Sequence, residues 1–160
     1  MLGYFEDQAA TEAAFNAYGW FMTGDLGWID EHGYLRVAGR QKDIIIRGGR
    51  NIHPARIEAL AMRHAAIEKA AAFPVPDPRL GERVCLAVVV HENMTVEPEA
   101  ILRHLDTVGL SKYDMPEFIL ALRELPLTAS GKVIKRELAR RVEEGSLRPL
   151  PARLPTPSPH

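Results

Sequence analysis

A chain of 160 residues with 46% hydrophobic and 26% charged residues is long enough, and apolar enough, for one domain with its own core. Its net charge of −1 gives no general affinity for nucleic acid, and its single cysteine, Cys85, excludes an internal disulfide. No apolar stretch approaches the ~20 residues of a membrane-spanning helix and no signal-peptide pattern opens the chain, so no membrane span is expected and the default compartment is the cytoplasm.

Residues 1–39 offer thin material for a domain. Ala9 to Phe15 reads as a short helix. The stretch from Asn16 to Gly39 is aromatic-rich and interrupted by Gly19, Gly24, Gly27 and Gly33, with "DEHGY" as a hairpin-like turn between "GWI" and "YLRVAG". The segment has the character of an edge belonging to something larger.

From residue 40 the pattern becomes regular. Ile44 to Ile46 predicts a β-branched strand, ended by a Gly48-Gly49 turn. Pro54 suits the first position of a helix, where its missing N–H is no loss, and Ile57, Leu60, Ala61 and His64 recur at helical spacing behind it. "AIEKAAAFPVPD" and "ERVCLAVVVHE" predict two strands joined by a turn rich in Pro, Asp and Gly. Cys85 lies within the second and is expected to pack as a small hydrophobe. Pro98 opens a helix with Ile101, Leu102, Leu105 and Val108 on one face; "EFILALREL" is a strand and "IKRELARRVEE" a last helix. Residues 40–145 therefore predict a compact α+β unit, a mixed sheet flanked by helices. Five of the twelve prolines fall after Gly145, so residues 146–160 are expected to form a disordered tail.

Charge is unevenly spread. Residues 1–39 hold six acidic residues against Arg36; Arg40 to Glu58 hold five basic residues against Asp43 and Glu58; Lys132 to Arg153 hold seven basic against three acidic. Two basic stretches beside an acidic one suit a small anionic ligand better than a nucleic-acid groove.

Three stretches carry candidate chemistry: "TGDLG" from Thr23, "GRQKDIIIRGGRNIHPARIE" from Gly39, and "PLTASGK" from Pro126 to Lys132. The last has the polar, glycine-bearing look of an anion loop. It is not a nucleotide P-loop, which needs glycine where Pro126 stands and Ser or Thr where Val133 stands.

In this order and spacing the three stretches resemble the acyl-adenylate-forming enzymes, which include acyl-CoA synthetases, peptide-synthetase adenylation domains and firefly-type luciferases. The resemblance runs from about Gly3 to Glu143. It implies the small C-terminal domain of the adenylate-forming fold, the lid, preceded in residues 1–39 by the last strands of a large N-terminal domain that is incomplete here. By that resemblance Lys132 is the catalytic lysine delivered to the substrate carboxylate and the α-phosphate as acyl-AMP forms. Asp25 accepts hydrogen bonds from the ribose hydroxyls, Arg40 lies near ribose and phosphate, Lys42 is the hinge between two lid poses, and Gly49 lines the pantetheine channel of the thioester-forming pose. Arg47 and Arg50 flank that glycine and would either meet coenzyme A phosphates or form a solvated face. The implied ligands are ATP, coenzyme A and Mg2+, with no metal ligand in this chain. The partners are small-molecule substrates, the missing N-terminal domain and a protein acetyltransferase acting on Lys132. Lys42 and Lys135 would be the competing acetylation sites.

Two departures stand out: Arg56 replaces a common glutamate, and Met22 a common basic residue or histidine. The phrase "GLSKYDMPEFILALRELPLTASGKVIKREL" looks most like ligases for medium-chain or alicyclic acids. The other readings are a peptide-synthetase fragment and a stand-alone module binding coenzyme A or a protein.

Overall fold

The computed structural model describes residues 2–154. The chain divides into two units, one ending at Lys42 and one beginning at Asp43, three residues beyond the boundary expected from the sequence.

The first unit is built from short-range structure. Helix α1 (Gln8–Ala14) is capped by Asp7, whose carboxylate accepts the Ala10 N–H at 2.9 Å. Strands β1 (Asp25–Ile29) and β2 (Leu35–Arg40) form an antiparallel hairpin with an irregularity at Leu26/Gly27. Its turn is organised by Asp30, whose carboxylate accepts N–H groups from His32 and Tyr34 and pairs with Arg36. These donors, Tyr34 foremost, hold the Asp30 carboxyl below its ordinary pKa. None of the described residues of this unit is buried. Tyr18, Trp20, Trp28, Ile29, Tyr34, Leu35 and Val37 are each more than half exposed. Such a density of bare apolar side chains marks a surface made to be covered.

The second unit holds the core. Strands β3 (Ile45–Arg47) and β4 (Arg50–Ile52) make a tight hairpin; β4 went unread in the sequence because Arg-Asn-Ile carries no alternation. Helix α2 (Pro54–Ala61) comes next, with Pro54 in its first turn as expected. Strands β5 (Ile67–Asp77) and β6 (Gly81–Val90) pair antiparallel along their whole length. Helix α3 (Pro98–Thr107) crosses over to β7 (Phe118–Leu122), which runs parallel to β6. Helix α4 (Lys135–Glu143) closes the unit.

Strand β6 sits inside the sheet and is buried on both faces. Val84, Leu86 and Val88 face a cluster with Ile57, Leu60, Ile101, Leu102 and Leu105 from α2 and α3. Cys85, Ala87 and Val89 face the opposite cluster, with Phe73, Leu120 and Leu138 from α4. This two-sided burial explains the unbroken apolar run "VCLAVVV". The mixed sheet with helices on both faces is the α+β architecture expected.

Strand β5 bounds the sheet. Its outward N–H at Ala72 is taken by Glu58 of α2 at 2.8 Å. Pro74 and Pro76 repeat that alternate position and have no N–H to present.

The tail reading needs correction. Leu150–Pro151 forms a strand, β8, antiparallel to β7. The Ala152 N–H donates to the Glu117 carbonyl at 2.9 Å, Ala152 is buried, and Leu154 packs on the core. Pro149 and Pro151 are compatible with a strand here because β8 is an edge, where an absent donor leaves nothing unpaired. Residues 155–160 of the expected tail lie outside the described residues.

Two outcomes test this account. Leu138→Ala, which removes a fully buried anchor of α4, should destabilise the second unit by about 2–5 kcal/mol in urea denaturation. Amide hydrogen exchange should find slow amides in β5, β6 and α3, and fast exchange from Tyr18 to Asp30, where no residue is buried.

Candidate functional site

In the first unit, cross-strand pairing brings Asp25 opposite Arg40. Their side chains form an ion pair at 3.3 Å, half-exposed on both sides. A pair so open to solvent contributes little to stability, and both groups remain available to a ligand. Beside it is an open cleft of about 380 Å3 lined by Thr23, Gly24, Arg40, Gln41 and Lys42. The Thr23 hydroxyl accepts the Asp25 N–H at 3.0 Å, and the Gln41 N–H donates to the Gly24 carbonyl at 2.9 Å, which shapes its rim. Hairpin geometry thus gathers Asp25, Arg40 and Lys42 at one end. A carboxylate able to accept two donors beside two cations suits a diol next to an anion. Lys42 lies in a 3-10 turn (Gln41–Asp43) at the division between the units.

In the second unit, Lys132 projects from the loop between β7 and α4. The loop is closed by backbone bonds from Thr128 N–H to the Lys132 carbonyl (2.8 Å) and from Ile134 N–H to the Pro126 carbonyl (2.8 Å). The Thr128 hydroxyl accepts the Lys132 N–H at 3.0 Å and contacts the Ser130 hydroxyl at 3.0 Å. Gly131 takes a φ of +80°, a conformation that side chains resist, and no atom lies within 4 Å of where a Cβ would stand. Thr128, Ser130 and Gly131 therefore build the loop's own backbone. Lys132 itself is exposed, and no ion pair is found for it among the described residues.

Lys135, three residues on, is different. Its ammonium meets the Glu58 carboxylate at 2.7 Å, with both side chains largely covered. That carboxylate is the one that accepts the Ala72 N–H. The pair fastens the start of α4, which has no side-chain cap, to α2 and β5.

Gly49 occupies the two-residue turn between β3 and β4, with Gly48 at φ +56° and Gly49 at φ +83°. Positive φ at both positions is the turn that matches strand twist, and only glycine adopts it freely. Space where a Gly49 Cβ would stand is open to 4 Å.

Neither reading given to the flanking arginines holds for Arg47. It is 14% exposed, bonds the Glu117 carboxylate at 2.5 Å and donates to the carbonyls of Tyr113 and Met115. Arg50 is half-exposed; it bonds Asp114 at 2.8 Å and lies 5.4 Å from the Tyr113 ring centre. That carboxylate holds the Arg50 guanidinium pKa above its usual value. Glu117, Asp114 and Glu58 were invisible to sequence reasoning, because their partners stand 70, 64 and 77 positions away (135 − 58 for the last).

Burial pushes the Cys85 thiol pKa far up, which leaves it inert as expected of core packing. Among the described residues no group of three or more His, Cys, Asp or Glu is arranged to hold a metal, and no helix is long and apolar enough to cross a membrane.

Residues 56–132 match the family described as AMP-binding enzyme C-terminal domain. The medium-chain fatty-acid–CoA ligase of Escherichia coli is 35% identical over 150 residues, covering 89% of this chain and 26% of that protein. ATP-bound MatB from Rhodopseudomonas palustris superposes with a TM-score of 0.79 at 34% identity, over 89% of this chain and 28% of that one. The o-succinylbenzoate CoA synthetase MenE of Bacillus subtilis, bound to its acyl-adenylate intermediate, gives 0.77 at 34%, over 85% and 27%. The chain thus spans about a quarter of the length of the relatives it matches. By its sheet, its helices and its matched residues, this chain belongs to the adenylate-forming enzymes and carries their C-terminal domain.

Proposed function

We propose that this chain is the C-terminal part of an ATP-dependent, AMP-forming carboxylic acid–CoA ligase, with residues 43–154 as its lid. The observation that carries the reading is the exposed Lys132 on a loop closed by its own backbone hydrogen bonds, in a fold matched with a TM-score of 0.79 to ATP-bound MatB. Two anions, a carboxylate and an α-phosphate, must meet for acyl-AMP to form. A cation aimed between them in a closed site is worth several kcal/mol, on the order of 3 per well-placed donor. Lys132 would supply it. Asp25 and Arg40 would take the ribose and its neighbouring phosphate, and Lys42 would be the pivot at the junction of the units. The open space at Gly49 would pass the thiol arm of coenzyme A. The bare aromatic face of the first unit supports a large N-terminal domain as its cover. Magnesium, implied beside the triphosphate, finds no cluster of three or more His, Cys, Asp or Glu among the described residues.

The relative named for a medium-chain fatty acid is 35% identical, and those named for succinylbenzoate are 34% and 41% identical. A medium-chain or alicyclic acid is the substrate proposed, in keeping with the first. A stand-alone binding module or a peptide-synthetase fragment finds no support among these relatives.

The test is a fusion in which this chain replaces the matched C-terminal quarter of the E. coli ligase. The fusion should catalyse acid-dependent exchange of pyrophosphate into ATP, and the chain alone should not. In the fusion, Lys132→Ala should lower adenylation roughly 100-fold or more while largely sparing thioester formation from supplied acyl-AMP. Gly49→Leu should do the reverse. Equal losses in both steps for both variants would overturn the two-pose assignment.

Lys132 is also the proposed target of a protein acetyltransferase. Acetylation removes its charge and should abolish adenylation. Lys135, covered and paired with Glu58, should be modified far more slowly. Mass spectrometry beside the exchange assay checks both; full modification of Lys132 with adenylation intact would refute its catalytic role.

A further inference from the structure

The Gly48-Gly49 turn is poorly supported by its own hairpin. Its strands are three residues each, and β3 meets β6 at a single register position, Arg47 opposite Gly81. The one backbone bond from the turn to the rest of the unit is from the Gly48 N–H to the Leu80 carbonyl, at 2.8 Å. Two glycines with positive φ give the turn no stiffness of their own.

The base of the hairpin is anchored by the buried Ile45 and Ile52 and by the Ile46 N–H, which donates to the Glu82 carboxylate at 2.6 Å. Nearer the turn, a pair of arginines, one on each side, grips a common segment. Arg47 reaches the carbonyls of Tyr113 and Met115 and the Glu117 carboxylate, while Arg50 reaches Asp114 and covers the Tyr113 ring. The gripped segment is itself tied to the central strand. Glu117 accepts the Val84 N–H through its second carboxylate oxygen at 2.9 Å, and its own N–H donates to the Val84 carbonyl at 3.0 Å. Ala152, just past β8, then donates to the Glu117 carbonyl. Glu117 is therefore a junction joining the turn, β6 and the segment that follows β8. Arg47 suits the task because its planar fork presents several donors in fixed directions, which a lysine does not. Its three acceptors would be left without their donor if the fork were removed.

We propose that Arg47 and Glu117 are positioning residues for the thioester-forming step: the fork fixes the Gly48-Gly49 turn where the thiol arm of coenzyme A must pass. The inference rests on the ligase reading given above. Arg47 acts through Gly49 and touches no reacting atom. Lys132 lies on a different loop with its own closing hydrogen bonds, so the adenylation step does not depend on the fork.

The experiment uses the same fusion and compares Arg47→Met, Arg47→Lys and Glu117→Gln in the two half-reactions separately. Pyrophosphate exchange should stay within about twofold of the unsubstituted fusion, since a displaced turn leaves Lys132 in place. Thioester formation from octanoyl-adenylate should fall roughly 10–100-fold in Arg47→Met, the loss typical of misplacement by about 1 Å. The fall should appear as a raised KM for coenzyme A together with a lowered kcat. Arg47→Lys should recover little, because the charge returns without the fork; Glu117→Gln, which keeps an acceptor, should lie between. Hydrogen exchange on the present chain supplies an independent readout. Arg47→Met should speed exchange at Gly48 and across residues 111–117 while β5, β6 and α3 stay protected. Equal loss of both half-reactions, or loosening of the whole unit, would make Arg47 a general stability residue and overturn the proposal. So would an unchanged thioester rate with a visibly loosened turn. If the unsubstituted fusion performs no adenylation, the ligase reading falls first and this inference with it.

Discussion

Strand β6 is the member on which the rest of the second unit depends. Three strands pair with it: β5 along its length, β7 over Cys85 to Val89, and β3 at Gly81. Its side chains supply both cores in alternation, so helices on either face are anchored by the same ten residues. A strand in this position has no freedom to slip, because a shift of one residue would exchange the two cores. Loops attached to it inherit that rigidity. This is how a small unit holds two exposed loops, at Gly48-Gly49 and at Lys132, on distant stretches of sequence without burying either.

Much of this frame was legible. Periodicity located α2, α3, α4, β5 and β6 because each hides a repeated apolar face, and Pro54 and Pro98 mark helix starts in sequence as in structure. Strand β4 was not legible, since three residues with one apolar member have no period. The tail was misread for a physical reason: its prolines argue against a buried strand but not against an edge strand, and Leu150, Ala152 and Leu154 were too few to outweigh them. Among the site residues, the positions of Asp25, Arg40, Lys42, Gly49 and Lys132 came from ordered motifs. In the structure Asp25 and Arg40 pair beside a cleft that Lys42 also lines, Gly49 stands in a tight turn and Lys132 on an exposed loop. Arg47 was misread because a sequence shows its charge and hides its carboxylate partner, 70 positions away.

The two lysines of the last motif illustrate how packing separates like residues. Lys132 and Lys135 stand one helical turn apart in sequence, yet one is exposed on a loop and the other is drawn onto Glu58. A lysine in the first turn of a helix opposes the helix dipole. The carboxylate of Glu58 offsets that penalty and at once satisfies the Ala72 N–H. Arg56, two residues earlier on α2, donates to the Gly109 carbonyl at 3.4 Å, so its departure from the usual glutamate leaves this arrangement intact.

Strand β5 is long, and its outer margin is nearly closed to further pairing. An eleven-residue strand at a sheet margin would ordinarily recruit strands from neighbouring molecules into a growing sheet. Here Pro74 and Pro76 and the Glu58 carboxylate leave that margin with few donors to share. On the lid reading proposed above, a unit that leaves its seat would thus travel through a crowded solution without becoming a seed for aggregation.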